Sequence, residues 1–589
     1  MAVFISCLLL VWSTWGFLFF LFSGWGLLAW RLCGSFPRSI GDVFISFWCG
    51  WSVVLLLLQI WHLGLPVNGL AFLWLVPGGL TGLFLCRRAL ADIVRAGLRR
   101  SPLSLPFLGA TLLYLTMRCI GEGLSFDGGM YHFAAMRWTT RYPIVPGLAN
   151  LNLHLGKNSI YYLYAALLES GIWANRSQHF ANGLLIAVLS AQVLVSYCRL
   201  LRRPGEAQTP DLFNAFLGAP LFWLSLDLTI SDITSDFAVA ALFFALAILA
   251  FGFLCERNGD CHRGRFLLLA VFLLASVGIA VKLNAGMLSL SSCGVVVFAF
   301  WRRHHERGQT AREVRTVALA SLAAFMVLGF WMLSSVILSG YPLFPSSFGA
   351  VDVDWRLPEE AVQQEMQNIR TWARALGPFD NNWAKWRSWC WLPTWFSGVS
   401  KDFSGAVLPL LVSGAALSVW IAGVARKGRR VVPDGWVFLL VPFASIIYWF
   451  AQAPLPRFGW MNFWILAAYA LTMALARGAD KPRSRLAPRF AAAVGLLLCL
   501  AIGISVFREG SIRLFARSGF APTIRPKLVT YTTDYGLLLH VPEKGAKPLC
   551  WDGPLPCTPF RQKNLRLRRD NDLSGGFILD PPQYSSEGP

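Results

Sequence analysis

Two acidic residues in a glycine-rich stretch are the first candidates for chemistry in this chain. Glu122 and Asp127 lie in Gly-Glu-Gly-Leu-Ser-Phe-Asp-Gly-Gly-Met-Tyr-His-Phe, residues 121–133, directly after a long apolar run. Glycines let a backbone approach a substrate closely, and a carboxylate there can accept the proton of an incoming hydroxyl group. The alternative interpretation is structural, because Asp127 is also well placed to cap a helix that begins near Met130.

Four more charged residues lie in short turns between apolar runs. Asp232 and Asp236 belong to Ser-Asp-Ile-Thr-Ser-Asp, whereas Lys282 and Arg457 interrupt otherwise apolar turns. An ionisable side chain at a membrane boundary is costly and is therefore a functional candidate, although Lys and Arg also extend along apolar surface to reach water. Carboxylates and cations at one boundary suit a reaction that deprotonates an acceptor and stabilises a phosphate leaving group.

The elements that must position these residues are membrane spans. The chain has 56% hydrophobic residues, 26 Trp and 44 Phe but only 14% charged residues, which indicates that its main solvent is lipid. About fourteen apolar runs are long enough to cross a hydrocarbon core of about 30 Å as helices. They lie near residues 3–30, 43–61, 69–86, 103–118, 180–198, 211–230, 236–254, 265–281, 284–301, 316–336, 404–424, 436–451, 459–476 and 489–507. The sequence therefore predicts an all-α polytopic membrane protein, whose first run is retained as a helix because it lacks the features of a signal peptide.

The distribution of arginine and lysine predicts which side of the membrane each turn faces. Seven short loops are strongly basic, and the positive-inside rule places them all in the cytoplasm. They are Arg31 to Arg38, Arg87 to Arg100, Arg199 to Arg203, Arg257 to Arg265, Arg302 to Arg315, Ala425 to Arg430 and Arg477 to Arg489. Both termini and all the charged candidates then lie outside, and the short apolar stretch from Ile160 to Trp173 is predicted to lie on the outer membrane surface. These loops account for the net charge of +21, so no nucleic-acid partner is expected.

The polar blocks on the outer side define the expected domains. Residues 1–102 contain three spans, and residues 103–507 form a larger membrane module with outer loops at 118–179 and 337–403. Residues 508–589 form a small outer domain that is expected to be partly β.

Two of these blocks carry recognisable local patterns. Between Pro358 and Gly377, apolar residues recur at spacings of three and four, which predicts an amphipathic helix on the membrane. Five tryptophans follow, and most are expected to be interfacial anchors rather than sugar-stacking platforms: Trp383, Trp386, Trp389, Trp391 and Trp395. In the C-terminal block, Lys527 to Tyr531 and Leu537 to Val541 predict strands, and the tail from Pro581 to Pro589 is expected to be disordered.

Cys550 and Cys557 differ from the other cysteines, most of which lie singly in apolar runs. They bracket Cys-Trp-Asp-Gly-Pro-Leu-Pro-Cys in the C-terminal block, on the side where a disulfide can persist. A disulfide is the preferred prediction. Two free thiols are one alternative. A two-ligand metal site is another, but the sequence offers no nearby His or further Cys to complete it.

Taken in order, these segments resemble the GT-C type of membrane glycosyltransferase. The matching features are Asp127 with Tyr131-His132, Ser-Asp-Ile-Thr-Ser-Asp, Lys282, Ser-Gly-Tyr-Pro-Leu-Phe-Pro at 339–345 and Pro-Arg-Phe at 456–458. The chain is also similar to a group of poorly characterised bacterial polytopic proteins that share a Cys-Trp-Asp-x-Pro-Leu-Pro-Cys-Thr-Pro motif, found here at 550–559. The resemblance covers roughly residues 100–580.

The resemblance implies an inverting transferase that moves a sugar from a polyprenyl-phosphate donor to an envelope glycan or lipid acceptor. The reaction would take place on the outer face of the bacterial cytoplasmic (inner) membrane. Asp127 would be the base that activates the acceptor, with Glu122 as the alternative base. Lys282 and Arg457 would bind the lipid phosphate.

Further roles follow from the same resemblance. Asp232 or Asp236 would be a second acid near the acceptor or near a metal ion, and Mg or Mn are the metals that such oxygen ligands would take. No compact ligand motif demands a metal, so no cofactor is assigned. Other substrate-binding residues would be Tyr131, His132, Arg137 and Tyr341.

Two other functions remain open from the sequence. An envelope polysaccharide polymerase or ligase would grip a lipid-linked glycan with outer-loop residues such as Arg137, Arg141 and His154, and would need no carboxylate base. A transporter of a lipid-linked precursor would be expected to show paired repeats and charged residues near span centres, and the sequence shows no such repeat.

Overall fold

The computed structural model describes residues 2–100, 104–123, 125–256, 261–305, 310–375, 388–427, 435–476, 487–508 and 519–583. Within these ranges the chain is mostly helical, with short strands near its C-terminal end. The helices are α1 (Ala2–Leu32), α2 (Ile40–His62), α3 (Ala71–Leu85), α4 (Arg87–Arg100), α5 (Ser104–Cys119), α6 (Phe133–Arg141), α7 (Leu148–Leu151), α8 (Tyr161–Leu167), α9 (Ala181–Arg202), α10 (Thr209–Phe216), α11 (Gly218–Leu226), α12 (Ser235–Cys255), α13 (Cys261–Val281), α14 (Gly286–His305), α15 (Thr310–Ser339), α16 (Glu359–Ala375), α17 (Leu392–Val399), α18 (Leu408–Lys427), α19 (Leu440–Gln452), α20 (Pro456–Leu475) and α21 (Ala487–Arg508).

Eleven helical segments in the described part of the chain are long and apolar enough to cross a membrane, so the chain is a multi-pass membrane protein. Three other predicted spans are shorter or interrupted. Helix α3 has 15 residues and α5 has 16, which corresponds to lengths of only about 22 to 24 Å. The predicted span at 211–230 consists of α10 and α11, which meet at Leu217. The helices therefore support eleven of the expected spans.

Helix α12 is the centre of the bundle. Nearly all of its residues are buried, and it packs against α9, α10, α13, α14 and α20. A helix that is apolar on every side is stable only when other apolar helices or lipid surround it. Its first turn therefore has a fixed position, and that turn contains Asp236.

Two predicted basic loops meet at one end of the bundle. Ser39 and Asp42 form a reciprocal capping box at the start of α2, and Asp42 also accepts a hydrogen bond from Arg263 at 2.8 Å. The His62 carbonyl at the other end of α2 accepts a hydrogen bond from Ile144 N, which belongs to the first polar block. The described residues of these two basic loops and of the polar block at 118–179 thus lie at opposite ends of α2.

The end opposite these two basic loops is called the loop end here. It comprises residues 120–179, 340–375 and 519–583, together with the turns that contain Asp232, Asp236, Lys282 and Arg457. Backbone hydrogen bonds join these segments, for example from Ala521 N to Ile120 O and from Phe577 N to Pro146 O. All the charged residues singled out in the sequence for catalysis or for phosphate binding lie at this end.

Two predictions for the loop end have different outcomes. Helix α16 forms within the predicted stretch 358–377, of which residues 376 and 377 lie outside the described part. The prediction that residues 160–173 lie on the membrane surface is wrong for most of the stretch. Every residue of α8 is buried, because this helix packs between α2 and α6 inside the protein.

The tryptophans after α16 also depart in part from the expectation. Trp391 and Trp395 are buried and pack with Trp449, so they belong to a small core rather than to an interface, whereas Trp389 is exposed. Trp383, Trp386 and most of the predicted tail lie outside the described residues.

The C-terminal segment contains two small antiparallel sheets. Strands β1 (Leu528–Thr532) and β2 (Leu538–Pro542) pair with Thr530 opposite His540, at the positions that the sequence predicts. Strands β3 (Leu565–Leu567) and β4 (Phe577–Leu579) form the second pair. A disulfide joins Cys550 to Cys557 in the loop between the two sheets.

Candidate functional site

Four charged residues from four separate segments meet at the loop end. The Arg457 guanidinium lies 3.3 Å from the Asp127 carboxylate, and the Lys282 ammonium forms an ion pair with Asp236. The relative solvent exposure of these four side chains is between 27% and 45%. The two ion pairs together are called the cavity charges below.

Each of the cavity charges lies at the end of a helix. Asp236 is in the first turn of α12, where its backbone N–H donates to the Thr234 hydroxyl, and Arg457 is in the first turn of α20. Lys282 directly follows α13, and Asp127 directly precedes a π-helical turn, Gly128–His132. Helices that end at the same face of a bundle bring their terminal residues together, which is why residues far apart in sequence converge here.

The side chain of Asp127 is not used as a helix cap. It makes no capping hydrogen bond at the π-helical turn that follows it, although the sequence made capping its main alternative role. Its carboxylate instead contacts Arg457.

Aromatic rings hold the two cations in place. The Lys282 ammonium lies 4.5 Å from the centre of the Phe458 ring. The Arg457 guanidinium lies 5.0 Å from the same ring and 4.6 Å from the ring of Trp372 on α16. Cation–π contacts of this kind orient a cation without consuming its hydrogen-bond donors. Both cations are therefore positioned while keeping donors for a ligand.

A cavity of about 460 Å³ opens beside the cavity charges. This volume is in the range of small-molecule sites. Its polar wall contains Asp127, Asp236 and Arg457, together with Asp227 and Asn284. Its apolar wall comes mainly from membrane-spanning helices and includes Leu224, Phe237, Val239, Trp460 and Met461. The cavity thus has a charged wall and an apolar wall.

Asp232 has a different place from Asp236. It is fully buried behind the cavity, and its carboxylate accepts hydrogen bonds from the backbone N–H groups of Ser125 and Ile233, at 3.1 and 2.6 Å. Burial raises the pKa of Asp232 to about 6, although the hydrogen bonds from Ser125 and Ile233 favour the ionised form. A Cβ atom on Gly128 would lie 2.6 Å from this carboxylate, so glycine is needed for the loop to approach it. Asp232 anchors the Asp127 loop.

The pKa of Asp127 is lower than usual. Burial opposes its ionisation, but the protonated form of His132 and the cations Arg457 and Lys282 outweigh that effect. Burial also lowers the pKa of His132 to about 4, so the imidazole is neutral at neutral pH, and its Nδ1 has no hydrogen-bond partner among the described residues. The site thus holds an ionised carboxylate beside a neutral imidazole.

Six of the eight residues predicted to bind substrate are not among the residues that line this cavity: Tyr131, His132, Arg137, Asp232, Lys282 and Tyr341. Lys282 lies next to the lining through its ion pair with Asp236. His132 is buried behind Asp127, and the neighbouring Tyr131 ring packs on His154 with the Lys157 ammonium 5.5 Å from its centre. Tyr341 is wrongly placed by the sequence analysis, because its ring lies in a separate core and its hydroxyl donates to the Leu357 carbonyl. Arg137 is also absent from the cavity wall, since its guanidinium binds other residues of the protein.

The remaining predictions concern Glu122 and a metal ion. Glu122 is exposed and does not line the cavity, whereas Asp127 does. No three His, Cys, Asp or Glu side chains converge as ligands for a metal ion in the described part of the chain.

The sequence analysis missed several residues of the site. Trp372 lines the cavity and stacks on Arg457, yet the sequence drew attention to the tryptophans after residue 380. Phe458 directly follows Arg457, and Asn284 follows Lys282 after one intervening residue. The apolar spacing of α16 predicted that helix, but a helical pattern does not reveal which cation its exposed tryptophan covers.

The fold and the site define a multi-pass membrane protein with a charged cavity at one end of its helices. Residues 8–464 match the sequence model of a family described as a domain of unknown function, DUF8201, and the chain belongs to that family. The matched region contains all four cavity charges and ends before the C-terminal segment. No curated protein and no solved structure matches the chain.

Proposed function

We propose that this protein is a GT-C type glycosyltransferase that uses a polyprenyl-phosphate sugar as its donor. The observation that carries the proposal is the pairing of half-exposed carboxylates with half-exposed cations at the mouth of a cavity whose side wall is made by membrane-spanning helices. A phosphate-linked sugar on a long isoprenoid chain matches this division between charge and hydrocarbon. The short helices α3 and α5 and the broken pair α10 and α11 complete about fourteen membrane-embedded segments in this proposal.

The cations hold the leaving group. Lys282 and Arg457 bind the donor phosphate, and hydrogen bonds from charged donors to phosphate oxygens are about twice as strong as neutral ones. As the bond between the anomeric carbon and the phosphate oxygen breaks, its electron pair stays on the phosphate. The two cations stabilise that developing charge.

Asp127 accepts the proton of the acceptor. The acceptor hydroxyl attacks the anomeric carbon opposite the phosphate, a new carbon–oxygen bond forms, and the hydroxyl proton passes to the Asp127 carboxylate. One displacement inverts the anomeric centre. The two products are the glycosylated acceptor and the polyprenyl phosphate.

Donor binding activates this base. In the free protein Arg457 and Lys282 lower the pKa of Asp127, which makes its carboxylate a weak base. A donor phosphate competes for both cations, so the carboxylate loses part of their stabilisation and its proton affinity rises. Proton transfer is thereby favoured only when the donor is in place.

In this proposal the acceptor is a glycan or lipid of the cell envelope, and the loop end faces the outside of a bacterial inner membrane. The basic loops at the other end of the bundle, Arg31 to Arg38 and Arg257 to Arg265 among them, then face the cytoplasm.

A transfer assay in inner-membrane vesicles tests the proposal. Vesicles containing the wild type or Asp127→Asn would be supplied with radiolabelled undecaprenyl-phosphate sugars, and label reaching an envelope acceptor would be measured. Loss of a general base is expected to reduce transfer by about 100- to 10,000-fold.

Asp354→Asn is the matched control. Asp354 also pairs with an arginine at the loop end, Arg568 at 2.9 Å, but it lies away from the cavity. It should transfer like the wild type. Equal transfer by Asp127→Asn and the wild type, or no transfer by either with any donor supplied, would reject the proposal.

The alternative of a polysaccharide polymerase or ligase finds less support. It would need Arg137, Arg141 and His154 to be available to a glycan. Arg141 is exposed, yet Arg137 is bound to Asp552 and Glu169, and His154 lies beside Glu365. A requirement for Arg137 in substrate binding, with no requirement for Asp127, would favour that alternative.

A further inference from the structure

The disulfide loop of the C-terminal segment rests on the turn that follows Asp127. The backbone N–H groups of Cys550 and Trp551 both donate to the carbonyl oxygen of Gly129, at 2.7 and 2.9 Å. Gly129 is in the π-helical turn Gly128–His132, two residues after Asp127. Two donors on one carbonyl use both of its lone pairs and fix its direction.

The side chain of Trp551 fills the space beside the same glycine. A Cβ atom on Gly129 would lie 2.6 Å from the indole ring, so no larger residue fits without displacing it. The backbone of Trp551 is in the left-handed region, with φ at +42°. A bulky residue adopts this conformation only when surrounding contacts enforce it. The contact with Gly129 is one of those that enforce it.

A third contact fixes α6, the helix that directly follows the turn Gly128–His132. Asp552 binds the Arg137 guanidinium on α6, at 2.6 Å from Nε and 2.5 Å from Nη2. The same guanidinium reaches Glu169 at 3.3 Å and Asn175 at 2.7 Å. These side chains form the second group of charges at the loop end, called the clamp charges below: Arg137, Asp552 and Glu169.

The disulfide connects this contact to a stable support. Cys557 is held at β2, because His540 N donates to Pro556 O and Thr558 N donates to His540 O, both at 3.0 Å. The Thr558 hydroxyl also donates to the carbonyl of Leu151 in the first polar block. The bond from Cys557 to Cys550 therefore transmits this anchorage to the residues that contact Gly129.

We propose that the segment Cys550–Asp552 is a positioning element that sets the direction of Asp127 in the cavity. Trp551 and Asp552 are positioning residues, since they contact the turn and the helix that carry the base and do not line the cavity. The inference depends on the proposed function for its catalytic consequence, whereas the contact itself does not depend on it. Release of the segment is expected to lower kcat and to leave the KM for the donor unchanged, because Lys282 and Arg457 lie outside the released turn.

Hydrogen–deuterium exchange on the full-length protein in detergent measures the contact without any activity. Three samples would be compared with the oxidised wild type: the reduced wild type, Trp551→Leu and Asp354→Asn. Exchange of the peptide covering residues 121–133 is expected to rise roughly tenfold or more in the first two samples and to stay unchanged in the third. The reduced wild type is the same chain, so reoxidation should restore slow exchange.

Transfer kinetics on the same samples test the catalytic consequence. Displacement of a reacting group by about 1 Å costs on the order of 100-fold in rate, so kcat should fall by roughly that factor on reduction and recover on reoxidation. Asp354→Asn should retain the wild-type kcat. A change in donor KM in place of kcat would show that the segment acts on the phosphate site and would overturn the inference.

The two proposals fail in different ways. Faster exchange at residues 121–133 with no transfer by any sample would reject the glycosyltransferase function and support the contact. Asp127-dependent transfer that is unchanged on reduction, with unchanged exchange, would support the function and reject the positioning role.

Discussion

Two groups of charges lie at the loop end, and they differ in exposure although one member of each, Asp127 and Arg137, comes from the same stretch of chain. The cavity charges pair Asp127 with Arg457 and Asp236 with Lys282, and each side chain keeps 27% to 45% of its exposure. The relative solvent exposure of the side chains of the clamp charges is 15% or less. Arg137 alone contacts two carboxylates and an amide oxygen.

This difference distinguishes the candidate site from a set of charges that holds two segments together. A guanidinium that already has three oxygen partners has few donors left for a ligand. A half-exposed ion pair gains little from its own attraction and can exchange one partner for a phosphate at small cost. The number of partners, more than the residue type, distinguishes Arg457 from Arg137.

The largest effect expected from this comparison is on stability. Arg137→Gln leaves Asp552 and Glu169 buried without a cation, which should lower the free energy of unfolding by about 3 to 5 kcal/mol. Arg457→Gln should change it by about 1 kcal/mol or less, because that pair is half exposed. Thermal unfolding of both variants in detergent measures the difference. Equal destabilisation by the two variants would remove the distinction between the groups.

A second expected effect concerns pH and the buried Asp232. Its folded-state pKa of about 6 is higher than the ordinary value of about 3.9, so the folded state favours the protonated form. Its contribution to stability is therefore fully present below about pH 4 and is lost as the pH rises through 6. Relative to Asp232→Asn, the wild type should lose on the order of 2 to 3 kcal/mol of unfolding free energy between pH 4 and pH 7.5. Chemical unfolding at the two pH values tests this, and a difference that stays constant or grows with pH would contradict it.

The smallest effect in energy is on catalysis. Under the proposed function, Arg457→Gln removes a charged donor to the phosphate, a contact worth about 1.5 to 3 kcal/mol. We expect transfer, measured as kcat/KM for the donor, to fall about 10- to 100-fold. Arg561→Gln is a suitable control, because Arg561 belongs to the C-terminal segment and stacks on Tyr531 away from the cavity. Transfer by Arg457→Gln at the wild-type level would show that the cavity charges have no role in donor binding.

The sequence could predict that the cavity charges lie at one end of the protein, because this property depends only on which loops are basic. Alternation of basic and non-basic loops assigned Asp127, Asp236, Lys282 and Arg457 to one end of the spans, and helix ends at one face of a bundle lie close together. The strands of the first C-terminal sheet were predicted for a similar reason, since alternation and turn residues are local signals. Both predictions needed only periodicity and charge.

The orientation of individual side chains at the loop end could not be predicted in the same way. Tyr341 and Arg137 are at the expected end, but their side chains turn into other contacts that depend on residues distant in sequence. Burial of α8 has the same origin, because a short apolar run is equally compatible with lipid and with a protein interior. Trp372 was missed since nothing in α16 itself reveals that Arg457 lies beneath it.

The contact between Arg137 and Asp552 joins residues 415 positions apart in the chain. During synthesis the turn after Asp127 is therefore made long before the residues that fix it, and it stays incomplete until residues 550–552 have been made and delivered to the same side of the membrane. A chain interrupted before that point would carry all four cavity charges without the residues that contact the turn after Asp127. The contacts at the loop end are therefore complete only when the C-terminal segment has reached the same side of the membrane as this turn.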